Sequence, residues 1–305
     1  MGQVISEIVA SSTPAVPSGW LPYLQLTRPA NLVTAAADVL AGFAAAGMGE
    51  PRVLPLLVCS SVALYAGGVT FNDVFDASLD RIERPERPIP SGRIPLRTAA
   101  LFGAVLLIAG VTAAAFASLV SGAIALLIAA LAVIYDSWGK HRKVSGPLNM
   151  AACRAFNLLL GLSAAPLMIR GRWYLAAIPF LYIAAITLLS RGEVHGGRRQ
   201  PSVISFAVLA CAIAGLLLLG LLPPFAILAA LPFAVLLGWR VIPPFWRAVS
   251  NPEPAVIRRA VMAGVLSLIV LDSALAAGYA GVMFGMAILA LSLLASGIAR
   301  FFSVT

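Results

Sequence analysis

The sequence predicts an all-α fold, a polytopic membrane bundle of about nine or ten transmembrane helices around a central cavity. Of the 305 residues, 61% are hydrophobic and only 11% are charged, whereas soluble proteins carry about 25% charged residues. Apolar runs of roughly 20 residues, the length that crosses a bilayer, recur along the chain. A soluble fold of this size would have to bury more apolar surface than one core can cover, so lipid is the expected solvent.

The apolar runs define ten candidate spans. They lie at 30–48, 53–75, 98–117, 120–136, 147–168, 173–190, 202–220, 222–241, 259–278 and 281–300. Only residues 278–281 separate the last two, which we interpret as two helices; one long broken helix is the alternative. Residues 1–21 lack the basic n-region of a cleavable signal, so we expect a cytoplasmic N-terminal segment followed by a single transmembrane domain over 22–305.

Positive charge predicts the orientation of the spans. Lys and Arg concentrate in the segments that follow the second, fourth, sixth and eighth spans. Those segments are 81–97, 140–143, 191–199 and 240–259. Loops rich in Lys and Arg stay cytoplasmic, so we expect these loops and the N-terminus on the cytoplasmic face. The net charge of +9 then reflects orientation in the membrane, and no nucleic-acid partner is expected.

The most informative segment follows the second span. Acidic residues are scarce, 12 in all, and five of them fall within 73–86. Asn72, Asp76 and Asp80 are spaced four apart, which places them on one face of a continuous helix, with Asp73 beside that face. Mg²⁺ prefers oxygen ligands and commonly binds through one or two carboxylates plus substrate phosphates. This spacing predicts half of a magnesium cage; a solvated helix end with mixed charges is the alternative.

Three arginines come directly after these carboxylates. Arg81, Arg84 and Arg87 precede a Pro-rich turn, and guanidinium groups bind phosphate oxygens in a bidentate manner. Carboxylates for a metal followed by arginines for phosphate indicate a diphosphate site.

This segment resembles a known family. The pattern N-D-x-x-D-x-x-x-D followed by R-P-E-R-P-I-P-S-G resembles the first motif of the UbiA superfamily of intramembrane prenyltransferases. The likeness extends to residues 28–31 and 40–42 and covers roughly 22–280. It implies a helical bundle that transfers a prenyl chain from its diphosphate to an acceptor, with Mg²⁺ held by two acidic motifs on the cytoplasmic side.

The resemblance also implies roles for the residues of the first motif. Asn72, Asp76 and Asp80 would hold the metal with Asp73 close by, Asp76 and Asp80 would be catalytic, and Arg84 and Arg87 would bind the diphosphate. After the fourth span, Tyr135 and Lys140 match family positions, which implies substrate binding by Tyr135 and a catalytic phosphate contact by Lys140. The alternative for that pair is an interfacial aromatic with a positive-inside anchor.

The second acidic motif departs from the family. The family pattern is roughly D-x-x-D-x-x-G-D-R, whereas this chain has Ser190 and Gly197 in place of two aspartates and Glu193 in place of the third. Glu193 is therefore the expected catalytic and metal-binding carboxylate of this loop, and Arg191 and Arg198 are expected to neutralise the diphosphate directly. This loop, together with residues 135–141, looks most like the UbiA-like proteins called EboC, encoded in bacterial clusters beside cyclitol-forming enzymes. That likeness implies a bacterial inner membrane, a small polar product and partner enzymes of one pathway.

Polar residues also occur within the predicted spans. A carboxylate in hydrocarbon costs roughly 2.5 kcal/mol or more, so such residues usually face the bundle interior. Arg154 and Asn157 share a helix face and are candidates for contact with the acceptor or the diphosphate. Asp38 is expected either to bind the acceptor or to pair with Arg154, and Asp272 is expected to be structural.

The sequence therefore predicts a membrane prenyltransferase. It would transfer an isoprenoid chain from its diphosphate to a small polar or cyclic acceptor, dependent on Mg²⁺. Two other interpretations stay open. A non-catalytic UbiA-like subunit is favoured by the altered second motif. A lipid-precursor transporter is disfavoured because the charges concentrate at one surface and do not spread through the membrane.

Overall fold

The computed structural model describes residues 19–139, 142, 145–193, 196 and 199–299. Within these ranges every regular element is helical. The α-helices, numbered in chain order, are α1 Leu21–Thr27, α2 Pro29–Ala45, α3 Leu54–Phe75, α4 Ala77–Glu83, α5 Leu96–Ala117, α6 Leu119–Ser137, α7 Ser145–Leu162, α8 Pro166–Arg172, α9 Ala177–Ser190, α10 Arg199–Leu218, α11 Ile227–Ser250, α12 Pro254–Leu266, α13 Leu268–Ala280 and α14 Val282–Ala299. Short 3-10 turns adjoin α3, α9 and α10, at Pro51–Val53, Trp173–Ala176 and Leu219–Leu221.

Seven stretches of the described chain are long and apolar enough to cross a membrane. They are Pro51–Phe75, Leu96–Ala117, Leu119–Ser137, Pro166–Ser190, Arg199–Leu221, Ile227–Ser250 and Pro254–Ala280. Helices α2 and α14 are shorter apolar helices, and α7 carries Arg154 and Asn157. Each predicted span therefore contains a helix, which confirms the all-α membrane bundle. The chain is an integral membrane protein.

The last two predicted spans are two separate helices. Helix α13 ends before Gly281, whose φ of 88° is a left-handed value that glycine adopts without strain, and α14 begins at the next residue. A break that the sequence did not predict lies earlier, at Ser267 (φ −93°, ψ 1°), between α12 and α13.

Helix α13 forms the centre of the bundle. In the stretch Pro254–Ala280, 78% of the apolar segment is buried, against 28% to 50% in the other six stretches. Helix α13 contacts α2, α11 and α14, and it presents small, completely buried side chains such as Ala274, Ala276 and Ala277. Small side chains of this kind let neighbouring helices pack closely in a membrane bundle.

Helices α2 and α7 touch backbone to backbone. A Cβ atom added to Gly42 would lie 2.0 Å from the Leu158 carbonyl oxygen, and one added to Gly161 would lie 2.1 Å from the Val39 carbonyl oxygen. Small residues allow this approach in membrane bundles, where close packing replaces the hydrophobic effect. The contact brings the polar side chains of α2 within reach of those on α7.

The polar end of α3 is continued by a second short helix, α4. Asp76, between the two helices, departs from the ideal helical conformation (φ −88°, ψ 0°). The chain then turns back, and Ile89 and Ile94 anchor this turn in a small apolar cluster that includes Leu26 of α1. This packing holds the arginines after α4 beside the end of α3 and brings α1 to the same corner.

Candidate active site

Two arginines and two aspartates form an ion cluster at the polar end of α3. Arg28 Nη2 lies 2.8 Å from Asp73 Oδ1. Arg87 Nη1 lies 3.2 Å from the same oxygen and 2.8 Å from Asp80 Oδ2. Asp73 and Asp80 are only 5% and 4% exposed, so their mutual repulsion is poorly screened and the two guanidinium groups stabilise the pair.

Arg28 reaches this cluster from a strained backbone. Its φ of 47° and ψ of 67° are left-handed values that residues other than glycine rarely adopt. Such strain costs on the order of 1–3 kcal/mol and persists only where surrounding contacts hold it. Here the contact with Asp73 and the start of α2 at Pro29 hold Arg28 between α1 and α2.

A second polar group lies between the end of α3 and the end of α6. Asn72 Nδ2 donates a hydrogen bond of 2.9 Å to Asp136 Oδ1, and Asp136 is only 4% exposed. The hydroxyl group of the neighbouring Tyr135 interacts electrostatically with the charges of Asp136, Arg191 and Asp76. The first motif is therefore divided between the ion cluster and this second group. We call the two groups together the mouth.

The loop after α9 reaches the mouth. Arg191 Nη2 donates to the backbone carbonyl of Arg142, and its charge acts on the tyrosine at the end of α6. Partial burial raises the pKa of the Glu193 carboxyl, whereas the nearby charges of Arg258 and Arg84 lower that pKa. The carboxylate of the altered second motif thus lies close to an arginine of the first.

A cavity of about 270 Å³ adjoins the mouth. Its walls come from Arg28, Ala35, Ser61, Leu64, Tyr65, Gly68, Val69, Asn72, Ile128, Ala132, Tyr135, Asp136, Met150, Cys153, Arg154 and Asn157. Judged by position along the helices, polar side chains lie at the two ends of the cavity and aliphatic ones line the middle. The cavity can therefore hold a molecule with a charged head and an apolar body.

A charged pair lies at the deep end of the cavity. Arg154 donates from Nη1 to Asp38 Oδ2 and from Nη2 to Thr34 Oγ1, both at 2.7 Å. Asn157 Nδ2 donates to the same Asp38 oxygen at 2.9 Å. The guanidinium carbon lies 5.2 Å from the centre of the Tyr65 ring, a cation–π distance. These contacts explain how an arginine is tolerated inside a membrane bundle.

Asp272 of α13 adds a second carboxylate to this pair. Asp272 is completely buried. Among the described residues, no amide, hydroxyl or guanidinium group donates a hydrogen bond to either of its oxygens or to Asp38 Oδ1, and the Asp272 and Asp38 carboxyl groups lie within hydrogen-bond reach of each other. Asp38 and Arg154 are the charged groups that act on Asp272. Only Asp38 contacts the guanidinium directly, and Asp272 places a second carboxyl group beside Asp38.

Most residues predicted from the sequence meet at these two places. The mouth contains Asn72, Asp73, Asp76, Asp80, Arg87, Tyr135 and Arg191, with Arg84 and Glu193 at its edge. Asp38, Arg154 and Asn157 form the deep pair. Lys140 and Arg198 lie outside the described residues. The chemical roles assigned to all of these residues remain predictions.

Two residues of the mouth had received no role from the sequence. Arg28 belongs to the segment that matches the family motif before the first span, so a signal for it was present. Asp136 directly follows Tyr135, but its orientation depends on the rotation of the last turn of α6, which the sequence does not specify. The structure places both on the cavity wall.

The donor set of the mouth fits a magnesium ion held jointly with a substrate. The described residues contain no group of three or more His, Cys, Asp or Glu side chains able to hold a metal alone. Two aspartates of the motif contact arginines, while Asn72 and Asp76 offer an amide and a carboxylate oxygen. Mg²⁺ commonly binds through one or two carboxylates plus substrate phosphates, so phosphate oxygens would complete the coordination.

Comparison with known proteins agrees with this architecture. The profile of the UbiA prenyltransferase family matches residues 32–253. The digeranylgeranylglyceryl phosphate synthase of Methanothrix thermoacetophila is 34% identical over 223 residues, which are 67% of this chain and 80% of that protein. The enzyme of the same name from Ignicoccus hospitalis is 33% identical over 219 residues, 70% of this chain and 68% of that protein.

Solved structures share the fold. A structure of digeranylgeranylglyceryl phosphate synthase superposes with a TM-score of 0.67 at 21% identity, covering 86% of this chain and 98% of that one. A UbiA homologue from Archaeoglobus fulgidus bound to GPP and Mg²⁺ gives a TM-score of 0.63 at 14% identity, covering 88% and 99%.

The resemblance inferred from the first motif is confirmed at the level of the superfamily, whereas the finer likeness to EboC stays a prediction. The profile match spans more than half of the chain and includes the mouth and the cavity wall apart from Arg28, together with the deep pair. The chain belongs to the UbiA prenyltransferase family and is a membrane prenyltransferase.

Proposed function

We propose that this protein transfers an isoprenoid chain from its diphosphate to a small polar acceptor and uses Mg²⁺. The observation that carries the proposal is the cavity, which has a charged mouth at one end and aliphatic walls below it. The diphosphate head would lie at the mouth, where arginines and oxygen ligands are concentrated. The isoprenoid tail would lie between α3 and α6, along Leu64, Val69 and Ile128.

Related proteins support both substrates. The Archaeoglobus fulgidus homologue is bound to GPP and Mg²⁺, and the relatives above 30% identity are synthases of a glyceryl phosphate lipid by name. We therefore propose an acceptor that combines a hydroxyl group with a phosphate or a comparably polar group. A cyclic polyol is the second type of acceptor that we propose.

The mouth would assist departure of the diphosphate. The carbon–oxygen bond breaks with its electron pair on the diphosphate, and the acceptor oxygen then attacks the allylic carbon. Arg84, Arg87 and Lys140 would hold the leaving oxygens, and preorganised charge of this kind is usually the largest catalytic contribution. Bound Mg²⁺ would neutralise further negative charge on the same oxygens.

Asn72, Asp76 and Asp80 are the proposed metal ligands, with Asp73 close by. Asp80 Oδ2 contacts Arg87 at 2.8 Å, so the metal would take the other carboxylate oxygen or replace the arginine. An incoming diphosphate offers the arginine a second anion, which would leave the carboxylate available to the metal.

The second motif would act mainly through positive charge. Arg191 and Arg198 would neutralise the diphosphate, and Tyr135 would contact it from α6. Glu193 would either contribute the remaining carboxylate to a second metal or accept the proton of the acceptor hydroxyl. Asn157 lines the cavity, where it would contact polar groups of the acceptor that lie away from the reacting hydroxyl.

The deep pair has a supporting role in this proposal. Arg154 and Asn157 reach the cavity wall, while Asp38 lies behind them and holds both by hydrogen bonds. Arg154 and Asn157 would contact the acceptor directly, and Asp38 would contribute to acceptor binding through them.

Orientation and extent are also proposals. We infer from the charge of the loops that the mouth and the N-terminus face the cytoplasm, and that residues 22–305 form one domain after a segment over 1–21. The relatives compared above are archaeal, so they give no support to the expected bacterial inner membrane. Enzymes that make the acceptor remain the expected partners.

The experiment compares purified wild type with Asp76→Ala in detergent. Labelled geranylgeranyl diphosphate is supplied with Mg²⁺ and candidate acceptors, and prenylated products are measured by mass spectrometry. We expect Mg²⁺-dependent transfer by the wild type, complete loss after addition of EDTA, and at least a hundredfold loss in the variant. Glu50→Ala, a change at an exposed carboxylate beside the short helical turn before α3, serves as the matched control and should retain full activity.

A second candidate function, a non-catalytic subunit, is favoured by Ser190 and Gly197 in the second motif. Binding of a non-hydrolysable diphosphate analogue separates the two. A catalyst binds the analogue in the presence of Mg²⁺ and converts the true substrate. Binding without conversion of any acceptor would favour the subunit, and Mg²⁺-independent behaviour in both assays would overturn the proposed function.

A further inference from the structure

We propose that Asp136 is a positioning residue that orients the Asn72 amide so that its carbonyl oxygen is presented to the mouth. This inference rests on the proposed function, because it assigns a task at the same Mg²⁺ and diphosphate site. It also explains why the motif begins with an amide, and it introduces a carboxylate from α6 to which the sequence motif gave no role.

The geometry of the pair is specific. Asn72 Nδ2 lies 2.9 Å from Asp136 Oδ1, and the two residues are 64 positions apart in the chain. Both side chains belong to the cavity wall. Asp136 is 4% exposed, so water competes poorly for its oxygen and the hydrogen bond is well retained.

The amide has only one orientation that satisfies this contact. A side-chain amide carries a donor NH₂ on one side and an acceptor oxygen on the other. With the NH₂ committed to a carboxylate, the oxygen is turned away from α6. The opposite orientation would place the amide oxygen against a carboxylate oxygen, where two acceptors repel each other. A hydrogen bond to an ionised acceptor is roughly twice as strong as a neutral one, so the orientation is well defined.

The same contact explains the residue type at position 72. An aspartate there would place two carboxylates about 3 Å apart in a nearly buried setting, where like charges strongly disfavour each other. Partners that orient metal ligands typically change metal affinity or activity 10- to 100-fold when they are removed. Asp136 therefore acts on the reaction through Asn72 without a substrate contact of its own.

The test is an exchange of the two side chains. We compare the wild type, Asp136→Ala, Asn72→Asp, and the double variant that carries Asn72→Asp with Asp136→Asn. The measurements are the Mg²⁺ concentration for half-maximal transfer and, separately, kcat and KM for geranylgeranyl diphosphate. Ser137→Ala, at the exposed neighbour of Asp136, is the matched control and should equal the wild type.

The expected results follow from the geometry. Asp136→Ala should raise the required Mg²⁺ concentration at least tenfold, with a smaller change in KM. Asn72→Asp should impair transfer at least as strongly. The double variant restores one donor facing one carboxylate and should recover to within a few-fold of the wild type. A role limited to folding would not shift the Mg²⁺ requirement of the folded protein.

Two results would overturn the inference. One is a wild-type Mg²⁺ requirement in folded Asp136→Ala. The other is a double variant whose transfer activity is no higher than that of Asn72→Asp alone. This second comparison still decides the question if Asp136→Ala fails to fold, because the exchanged side chains have matching volumes. Failure of the proposed function can be distinguished from failure of this inference, because the wild type itself would then show no Mg²⁺-dependent transfer.

Discussion

Asp38 and Asp272 place two carboxyl groups near one buried guanidinium, which predicts a non-additive response to their replacement. Arg154 contacts Asp38 at 2.7 Å, and no amide, hydroxyl or guanidinium group of the described residues donates a hydrogen bond to the buried oxygens of Asp272. We expect Asp38→Asn alone and Asp272→Asn alone to be tolerated, because one carboxylate remains near Arg154 in each variant. The double variant should be strongly destabilised.

The magnitudes follow from the surroundings of the pair. Asp38→Asn keeps an acceptor oxygen, and interhelical hydrogen bonds in membrane proteins contribute about 0.6 kcal/mol on average, so this change should cost about 1 kcal/mol. Asp272→Asn should be neutral or stabilising, because a carboxylate at mid-membrane is unfavourable by about 2.5–3.5 kcal/mol. The double variant leaves Arg154 without a counter-charge and should lose about 3–5 kcal/mol.

The assay is a double-mutant cycle on the free energy of unfolding, measured by SDS titration in mixed micelles. The three variants predict a coupling energy of about 2–4 kcal/mol between the two positions. Glu50→Gln, on an exposed side chain, controls for loss of a carboxylate in general. Additivity within about 0.5 kcal/mol would show that Asp272 does not balance Arg154, and this prediction would be wrong.

Three further changes test other parts of the structure. Gly42→Ala should abolish the folded, monodisperse peak in size-exclusion chromatography, because the new Cβ would lie 2.0 Å from the Leu158 carbonyl oxygen. Gly171→Ala is the control and should match the wild type, since no atom lies within 4 Å of its new Cβ. A well-folded Gly42→Ala variant would refute the backbone contact. The pKa of the Glu193 carboxyl is raised in the folded protein, so wild-type stability should fall as the pH rises from 4.5 through that pKa. Glu193→Gln should therefore flatten the pH dependence of the melting temperature just above pH 4.5. The same pH dependence in the variant and the wild type would contradict this. Arg87→Ala should lower the free energy of unfolding by on the order of 3 kcal/mol, since two nearly buried carboxylates lose a shared cation. The variant should also bind a diphosphate analogue more weakly. Wild-type stability together with wild-type affinity for the analogue would exclude the proposed charge balance.

The helical fold was predictable from the sequence because the chain spans a membrane. Spanning segments must satisfy their own backbone hydrogen bonds, so long apolar runs become helices whatever their tertiary neighbours are. The break at Ser267 escaped prediction because the run 259–278 is apolar on both sides of it and contains neither proline nor glycine at that point. The central position of α13 depends on packing with three other helices and has no local signal.

The candidate site was predictable in composition but not in pairing. The four-residue spacing placed Asn72, Asp76 and Asp80 on one face of a single helix. Their partners nevertheless differ, since Asp80 contacts Arg87 while Asn72 contacts Asp136. Partner choice of this kind depends on the relative rotation of helices that are distant in the sequence, and spacing along one helix does not determine it.

The cavity draws its lining from α2, α3, α6 and α7, together with the residue that precedes α2. The described elements after α7 approach it at two places, through the loop after α9 at the mouth and through Asp272 of α13 behind the deep pair. Preferences for tail length and acceptor shape are therefore adjustable within one portion of the polypeptide. The lipid-facing surfaces of the later helices can vary while the cavity lining stays the same, so relatives can change these two properties independently.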